Sequence, residues 1–155
     1  CSEGTYKDIN GDGACTSCPT KTTSDRGSTE LSQCVCVPGS SHIENGLPCV
    51  ECEEGTFKDK IGTVECTMCP YHKSSARGST QQSDCKCMDG YYYTEGGGCN
   101  DCPTGTSSLF DATSIEDCLC MPGWFLNETE CVPCPESTHN NELGNGDRGT
   151  CIPCF

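Results

Sequence analysis

A chain of 155 residues could hold one ordinary globular domain, yet Leu, Ile, Val and Phe together number only 20, against 19 Cys, 18 Gly and 9 Pro. This composition excludes a conventional apolar core, because so few apolar side chains cannot offset the ~1–2 kcal/mol of backbone entropy lost per ordered residue. The formal net charge of −14 excludes nucleic acid and anionic lipid as direct partners, since both demand positive charge.

Sulfur must then do the work of the core. Cysteine at this density implies disulfides and an oxidising compartment, so the chain is expected outside the cell or on its surface, reached through the secretory pathway. The sequon Asn127-Glu128-Thr129 agrees and makes Asn127 a candidate glycosylation site. There is no apolar run long enough to span a membrane and no signal-peptide pattern, so direct membrane insertion is not expected and any leader would lie upstream.

In chain order, Cys1-Ser-Glu-Gly4-Thr5-Tyr6-Lys7-Asp8 leads to Cys15-x-x-Cys18-Pro19, then Ser24-Asp-Arg26-Gly27-Ser28-Thr29, then Cys34-x-Cys36-x-x-Gly39. The same series returns as Cys52-Glu-Glu-Gly55-Thr56-Phe57-Lys58-Asp59, Cys66-x-x-Cys69-Pro70, Ser75-Ala-Arg77-Gly78-Ser79-Thr80 and Cys85-x-Cys87-x-x-Gly90. The period is 51 residues (Cys1 to Cys52). A third unit runs from Cys99-x-x-Cys102-Pro103 straight to Cys118-x-Cys120-x-x-Gly123 and lacks one short loop with its two cysteines. A fourth opens at Cys131-x-x-Cys134 and reaches Cys151-x-x-Cys154. The expected domains are 1–48, 49–98, 99–130 and 131–155, the first and last cut short, as in a piece of a longer array.

The shortened unit bears on pairing. Removing a loop with two cysteines and leaving the pattern intact is what pairing of neighbours predicts, each loop carrying its own staple. The expected bridges are Cys1–Cys15, Cys18–Cys34, Cys36–Cys49, Cys52–Cys66, Cys69–Cys85, Cys87–Cys99, Cys102–Cys118, Cys120–Cys131 and Cys134–Cys151, with Cys154 left over. An interlaced scheme, Cys49–Cys66 with Cys52–Cys69, also remains for the units with two Cys-x-x-Cys pairs. Closing a loop of this size stabilises by about 3 kcal/mol in the chain-entropy account. The fold class is thus small, disulfide-rich and mostly irregular with short antiparallel β-hairpins, and tandem stacking predicts an elongated rod.

Gly4, Gly55 and Gly105 fall where a loop turns after its first cysteine. Gly27 and Gly78 are expected at positive φ, with Asp111 in their place in the third unit. Tyr6, Phe57, Tyr91 and Trp124 recur at fixed offsets and are expected to pack on disulfides. Consecutive strand residues cannot all point inward, so Tyr92, Tyr93, Trp124 and Phe125 are candidate contact aromatics for a neighbouring module or chain.

Gly-Thr-[Tyr/Phe]-Lys-Asp, Cys-x-x-Cys-Pro, Ser-x-x-Gly-Ser-Thr and Cys-x-Cys-x-x-Gly together resemble the ephrin-receptor-like cysteine-rich repeat. That module is similar to epidermal-growth-factor-like domains and to tumour-necrosis-factor-receptor cysteine-rich modules. The resemblance is specific over the first two units and weaker in the third. It weakens again in the last loop, where Glu136-Ser137-Thr138-His139 replaces the Gly-Thr-Tyr signature. It implies tandem modules in large secreted or membrane-anchored proteins, adhesins and flagellar or matrix components among them, but no single ligand.

Other chemistry is less well supported. Cys49-x-x-Cys52 with Cys66-x-x-Cys69 has four-cysteine zinc spacing, against which stand the Cys-x-Cys pairs. Redox chemistry would need an activated thiol at a helix start, and no helical period appears. Asp8-x-Asn10-x-Asp12-Gly13 opens like a calcium loop, but Pro19 stands where the bidentate Glu belongs, and Ile61 and Thr63 replace Asn10 and Asp12 in the second unit. A turn is the preferred reading there and at Asn145-Gly-Asp147, with calcium at Asp8, Asn10 and Asp12 left open and no other cofactor expected. His42, His72 and His139 read as isolated in loops, so no catalytic residue is expected. Two functions remain. One is an extracellular structural or adhesive spacer that contacts neighbouring repeats, other extracellular proteins or copies of itself; the other is a receptor-like module for a protein or glycan. The spacer is preferred because the conspicuous positions recur with the module.

Overall fold

Runs of two to four residues rich in Thr and aromatics, bounded by Gly, Pro and Cys, are too short for helices and suit half-buried strands. The computed structural model describes residues 1–9, 11–42, 48–144 and 150–154. These form nine two-stranded antiparallel sheets, each a hairpin of successive strands. The first three are β1 (Thr5–Tyr6) with β2 (Thr16–Ser17), β3 (Thr22–Thr23) with β4 (Val35–Cys36), and β5 (Ser40–His42) with β6 (Cys49–Glu51). Next come β7 (Thr56–Phe57) with β8 (Thr67–Met68), β9 (Lys73–Ser74) with β10 (Lys86–Cys87), and β11 (Tyr91–Tyr93) with β12 (Cys99–Asp101). The last three are β13 (Thr106–Ser107) with β14 (Leu119–Cys120), β15 (Trp124–Asn127) with β16 (Glu130–Pro133), and β17 (Thr138–His139) with β18 (Ile152–Pro153). The only helical turns among the described residues are 3-10 turns at Leu31–Gln33, Gln82–Asp84 and Ile115–Asp117. No helix among them is long and apolar enough to cross a membrane.

One backbone device opens every hairpin. The residue just before the first strand, or one removed from it, has positive φ: Gly4, Lys21, Gly39, Gly55, His72, Gly90, Gly105, Gly123 and Ser137. Each lies three residues after a cysteine. Its carbonyl accepts an N–H from just past the return strand, as in Cys18 to Gly4, Val37 to Lys21, Cys52 to Gly39 and Cys154 to Ser137, all 2.8–3.1 Å. The structural unit is therefore one hairpin, and three of them make the 51-residue sequence period. Gly27, Gly78 and Asp111 have φ of 81°, 73° and 67°, as their sequence positions lead one to expect.

The nine disulfides join successive cysteines: Cys1–Cys15, Cys18–Cys34, Cys36–Cys49, Cys52–Cys66, Cys69–Cys85, Cys87–Cys99, Cys102–Cys118, Cys120–Cys131 and Cys134–Cys151. Each closes the loop between its own two cysteines, and most also reach back to the hairpin before. Cys18 follows return strand β2 and bridges to Cys34 beside return strand β4, and the later bridges repeat this step. Each bridge after Cys1–Cys15 ties the exit of a hairpin to the return strand of the next.

The core consists of sulfur and hydroxyl groups rather than aliphatic side chains. Its buried apolar members are Cys34, Cys36, Cys49, Cys52, Cys85, Cys87, Cys118 and Cys120 with Phe57 and Ala112, and its polar members are six serines, Lys58 and Asn140. The aromatics do not share one register, contrary to the sequence reading. Tyr6 and Phe57 stand second after the positive-φ residue and Tyr91 and Trp124 first, and only Phe57 is buried. The chain divides into two compact units, residues 1–70 with 74–85, and 71–73 with 86–155.

Two glycines separate sterics from backbone preference. A Cβ at Gly39 (φ +75°) would lie 2.4 Å from the Gly78 carbonyl oxygen, whereas one at Gly123 (φ +83°) meets nothing within 4 Å. Gly123→Ala is expected to lose only the left-handed-backbone penalty of about 1–2 kcal/mol, and Gly39→Ala clearly more. Guanidinium unfolding without reductant checks this; equal losses would refute the close approach.

Candidate functional site

The recurring site of this chain is the junction between consecutive hairpins. Counting from the cysteine that leaves a hairpin, the third residue has positive φ and the sixth faces the hairpin before it. Where the return strand carries Cys-x-x-Cys, the sixth residue is a buried donor: Ser24, Lys58, Ser75, Ser108 or Asn140. Its carbonyl accepts the N–H of the preceding Gly4, Gly39, Gly55, Gly90 or Gly123 at 2.7–3.0 Å. Its side chain donates to the carbonyl of the residue after that glycine. Ser24 Oγ reaches Thr5 O at 3.0 Å, Ser75 Oγ reaches Thr56 O at 2.9 Å, and Ser108 Oγ reaches Tyr91 O at 2.7 Å. Asn140 Nδ2 reaches Trp124 O at 2.9 Å and Lys58 Nζ reaches Ser40 O at 2.7 Å. Three chemistries thus make one clasp, and each satisfies a carbonyl that burial would otherwise leave costly.

Lys58 does more than its counterparts. It is only 2% exposed, and its three N–H groups face three carbonyls: Ser40 at 2.7 Å, Gly62 at 2.8 Å and Cys36 at 3.5 Å. Burial pushes its ammonium below the ordinary lysine range, while the three acceptors replace its lost water. Lys7, its equivalent one sequence period earlier, donates to Gly11 O from an exposed site.

After Cys-x-Cys hairpins the sixth residue is His42, Tyr93 or Leu126, none of them buried. There a side chain of the later hairpin reaches back. Glu51 meets Lys21 Nζ at 2.9 Å, and this contact holds the Glu51 carboxyl below the usual range. The Tyr91 ring stacks on His72 at 4.0 Å, and Trp124 lies over Gly105, where a Cβ would come within 2.4 Å of the indole.

The sequence-predicted residues are distributed unevenly over these junctions. Trp124 belongs to one, Tyr93 lies under Lys73 Nζ at 4.6 Å, and Tyr92, Tyr93, Trp124 and Phe125 are all half-buried. Larger exposed apolar groups were missed: Met68, Tyr71, Leu109, Phe110 and Ile115. Asn127 ends β15 and is exposed. Asp8 and Asp12 are exposed, Asn10 lies outside the described residues, and so does Asn145-Gly-Asp147. Gly11 and Gly62 share φ of 125° and 126° although the second loop keeps only Asp59, with Ile61 and Thr63 where the first has Asn10 and Asp12. The histidines are not isolated in loops. His42 and His139 sit on strands with Nδ1 at 4.0 Å from Cys49 Sγ and 3.6 Å from Cys154 Sγ, and His72 stands between Tyr71 and Tyr91. The cluster Cys36, His42, Cys49 has ligand atoms within 4.8 Å, but both sulfurs are joined in one bridge, so it packs an imidazole on a disulfide. Likewise Cys49, Cys52, Cys66 and Cys69 each belong to a bridge, which leaves no thiolate for zinc.

The loops ahead of the Cys-x-Cys return strands share a cap. Gln33 Oε1 accepts N–H groups of Thr29 and Glu30, Asp84 Oδ2 those of Thr80 and Gln81, and Asp117 Oδ2 those of Thr113 and Ser114, at 2.6–3.1 Å. The Thr113 and Ser114 bonds hold the Asp117 carboxyl below the ordinary aspartate range.

Comparison with known proteins finds relatives of part of this chain. Residues 39–85 match the family model described as tyrosine-protein kinase ephrin type A/B receptor-like. Cysteine repeat modular protein B of Toxoplasma gondii is 43% identical over 84 residues, 52% of this chain and 1% of that protein. Ephrin type-B receptor 2 of Gallus gallus is 38% identical over 63 residues, 40% of this chain and 6% of the receptor. A mouse sushi, von Willebrand factor type A, EGF and pentraxin domain-containing protein is 34% identical over 89 residues, 55% of this chain and 2% of that protein. The chain thus spans only a small fraction of each relative. The family match starts at Gly39 and ends at Cys85, so it covers the Lys58 and Ser75 clasps.

Two outcomes follow from this geometry. Lys58→Ala strands buried carbonyls and is expected to lower stability by at least about 2 kcal/mol, with the amides of β5 and β6 losing hydrogen-exchange protection first; Lys7→Ala should change little. For Asp117 the folded-state affinity for protons is depressed, so its contribution is present above the ordinary aspartate range and lost as pH falls through the folded value. In acid, the Thr113 and Ser114 amides should therefore lose protection relative to intrinsic rates, while Thr29 and Glu30, capped by the neutral Gln33, keep theirs.

Proposed function

We propose that this chain, which carries ephrin-receptor-like cysteine-rich repeats and is a module of the extracellular, disulfide-bonded kind, is a structural and adhesive spacer in a cell-surface, flagellar or matrix protein. The observation that carries the reading is where the stabilising groups lie. The bridges after the first step from one hairpin to the next, and the clasps of Ser24, Lys58, Ser75, Ser108 and Asn140 do the same. A segment whose buried polar groups and sulfurs are used in joining neighbours is suited to holding position and bearing load. The role calls for no catalysis. The charge of −14 supports protein or glycan surroundings rather than nucleic acid or inserted membrane contact. Asn127 is exposed and open to a glycan. The matching φ of Gly11 and Gly62 supports a turn, rather than a calcium ion, as what shapes the Asp8–Asp12 loop.

A receptor-like binding role is the second reading, favoured by the apolar departure of one loop, residues 108–117, from its two counterparts. Exchange experiments separate the two. In the parent protein, antibodies to this segment should label intact, unpermeabilised cells, and replacing residues 102–153 with a second copy of residues 52–101, three hairpins and three bridges for three, should preserve attachment. Absence of surface labelling, or loss of attachment on that exchange with bridges intact, would count against the spacer.

A further inference from the structure

The second, fifth and seventh hairpins build the same ten-residue loop three times: Ser24–Gln33, Ser75–Asp84 and Ser108–Asp117. All three have a buried serine first, a positive-φ residue fourth, a 3-10 turn and a side-chain cap at the tenth position. Whatever the loop needs in order to fold is present in every copy. The second and third positions are Asp25-Arg26, Ala76-Arg77 and Leu109-Phe110, and the eighth is Leu31, Gln82 and Ile115. Asp-Arg and Ala-Arg therefore serve the backbone equally well at the second and third positions, and the large apolar pair of the seventh hairpin is surplus to folding.

That pair is also in water. Leu109 is 68% exposed, Phe110 50% and Ile115 52%. Leu109 and Phe110 help to line an open recess of about 400 Å³, together with Ala112 and Leu119. Its edge is acidic, with Asp111, Glu116 and Asp117, and the cation paired there is Lys86, 3.8 Å from Asp111 Oδ1. A contiguous apolar tip ringed by carboxylates marks an interaction surface, and the ring selects what can approach it. We propose that residues 108–117 are a docking surface for a polypeptide partner that presents apolar side chains flanked by Lys or Arg. The apolar tip supplies contact area, and the carboxylates meet the partner's cations and repel acidic surfaces, including other parts of this chain.

This goes beyond the spacer reading, giving the receptor-like reading a site on the loop that favours it, and rests on the chain being exposed outside the cell. Bridges are therefore mapped first by mass spectrometry of unreduced peptides, so that a failure of bridging is told apart from a failure of docking. A displayed library of short random peptides is then selected on the bridged chain. Selected peptides are expected to pair Phe, Leu or Trp with Lys or Arg and to bind more weakly as salt rises. They should lose about tenfold or more in affinity, some 1.4 kcal/mol, to the double variant Leu109→Asp, Phe110→Arg. That variant installs the residues of the second hairpin, which fold the same loop, and an unchanged bridge map confirms it. Selection of peptides without basic residues, equal binding to the variant, or no selection at all would overturn the proposal. Self-association of the chain that disappears in the variant would also overturn it, by making a second copy the occupant.

Discussion

The bridge from the exit of one hairpin to the return strand of the next is the constraint on which everything else rests. A hairpin of two or three residues per strand has no stability of its own in water, and there is almost no aliphatic core to supply it. Fixing the exit cysteine fixes the residue three places on, where the backbone turns to positive φ, and the residue six places on, which faces the preceding hairpin. The junction is thus specified within seven residues, and the loop beyond is free to change. The exposed apolar tip at Leu109 and Phe110 is one product of that freedom.

Cysteine spacing does more than count loops. Two residues between the paired cysteines of a return strand go with a buried donor clasp, and one residue goes with a side chain reaching back from the later hairpin. The difference decides which residue types a junction accepts. Behind a Cys-x-x-Cys strand the sixth position must fill a small buried space and donate a hydrogen bond, which Ser, Asn and an extended Lys all do. Behind a Cys-x-Cys strand the position is more open, and His42, Tyr93 and Leu126 occupy it.

Much of this was legible in the sequence because covalent chemistry leaves a spacing signature. The loss of one loop in the third unit pointed to neighbour pairing, and the short strands, the turn glycines and Asp111 followed from local propensities. The junction clasp was not legible from the 51-residue period, because the donors differ in type and recur on the shorter hairpin register. Counting six residues from each exit cysteine would have aligned Ser24, Lys58, Ser75, Ser108 and Asn140. The exposed aromatics were misjudged for a related reason. A pleat argument places one of two neighbours outward, but Trp124 and Tyr93 are drawn onto Gly105 and Lys73 of the preceding hairpin. Leu109 and Phe110 gave a signal only by departing from Asp25-Arg26 and Ala76-Arg77 in the equivalent loops.

The nearest-neighbour order of the bridges has a consequence for biosynthesis. Partners are separated by 11 to 17 residues, so the two thiols of a pair are exposed for bonding within a short stretch of synthesis of one another. Oxidation can then advance vectorially with translation, one link at a time, and few thiols wait unpaired while the nascent chain grows. Loop closure over so short a stretch is far faster than elongation. The number of hairpins in such a chain is accordingly not capped by a search among pairings that would otherwise multiply with every added cysteine.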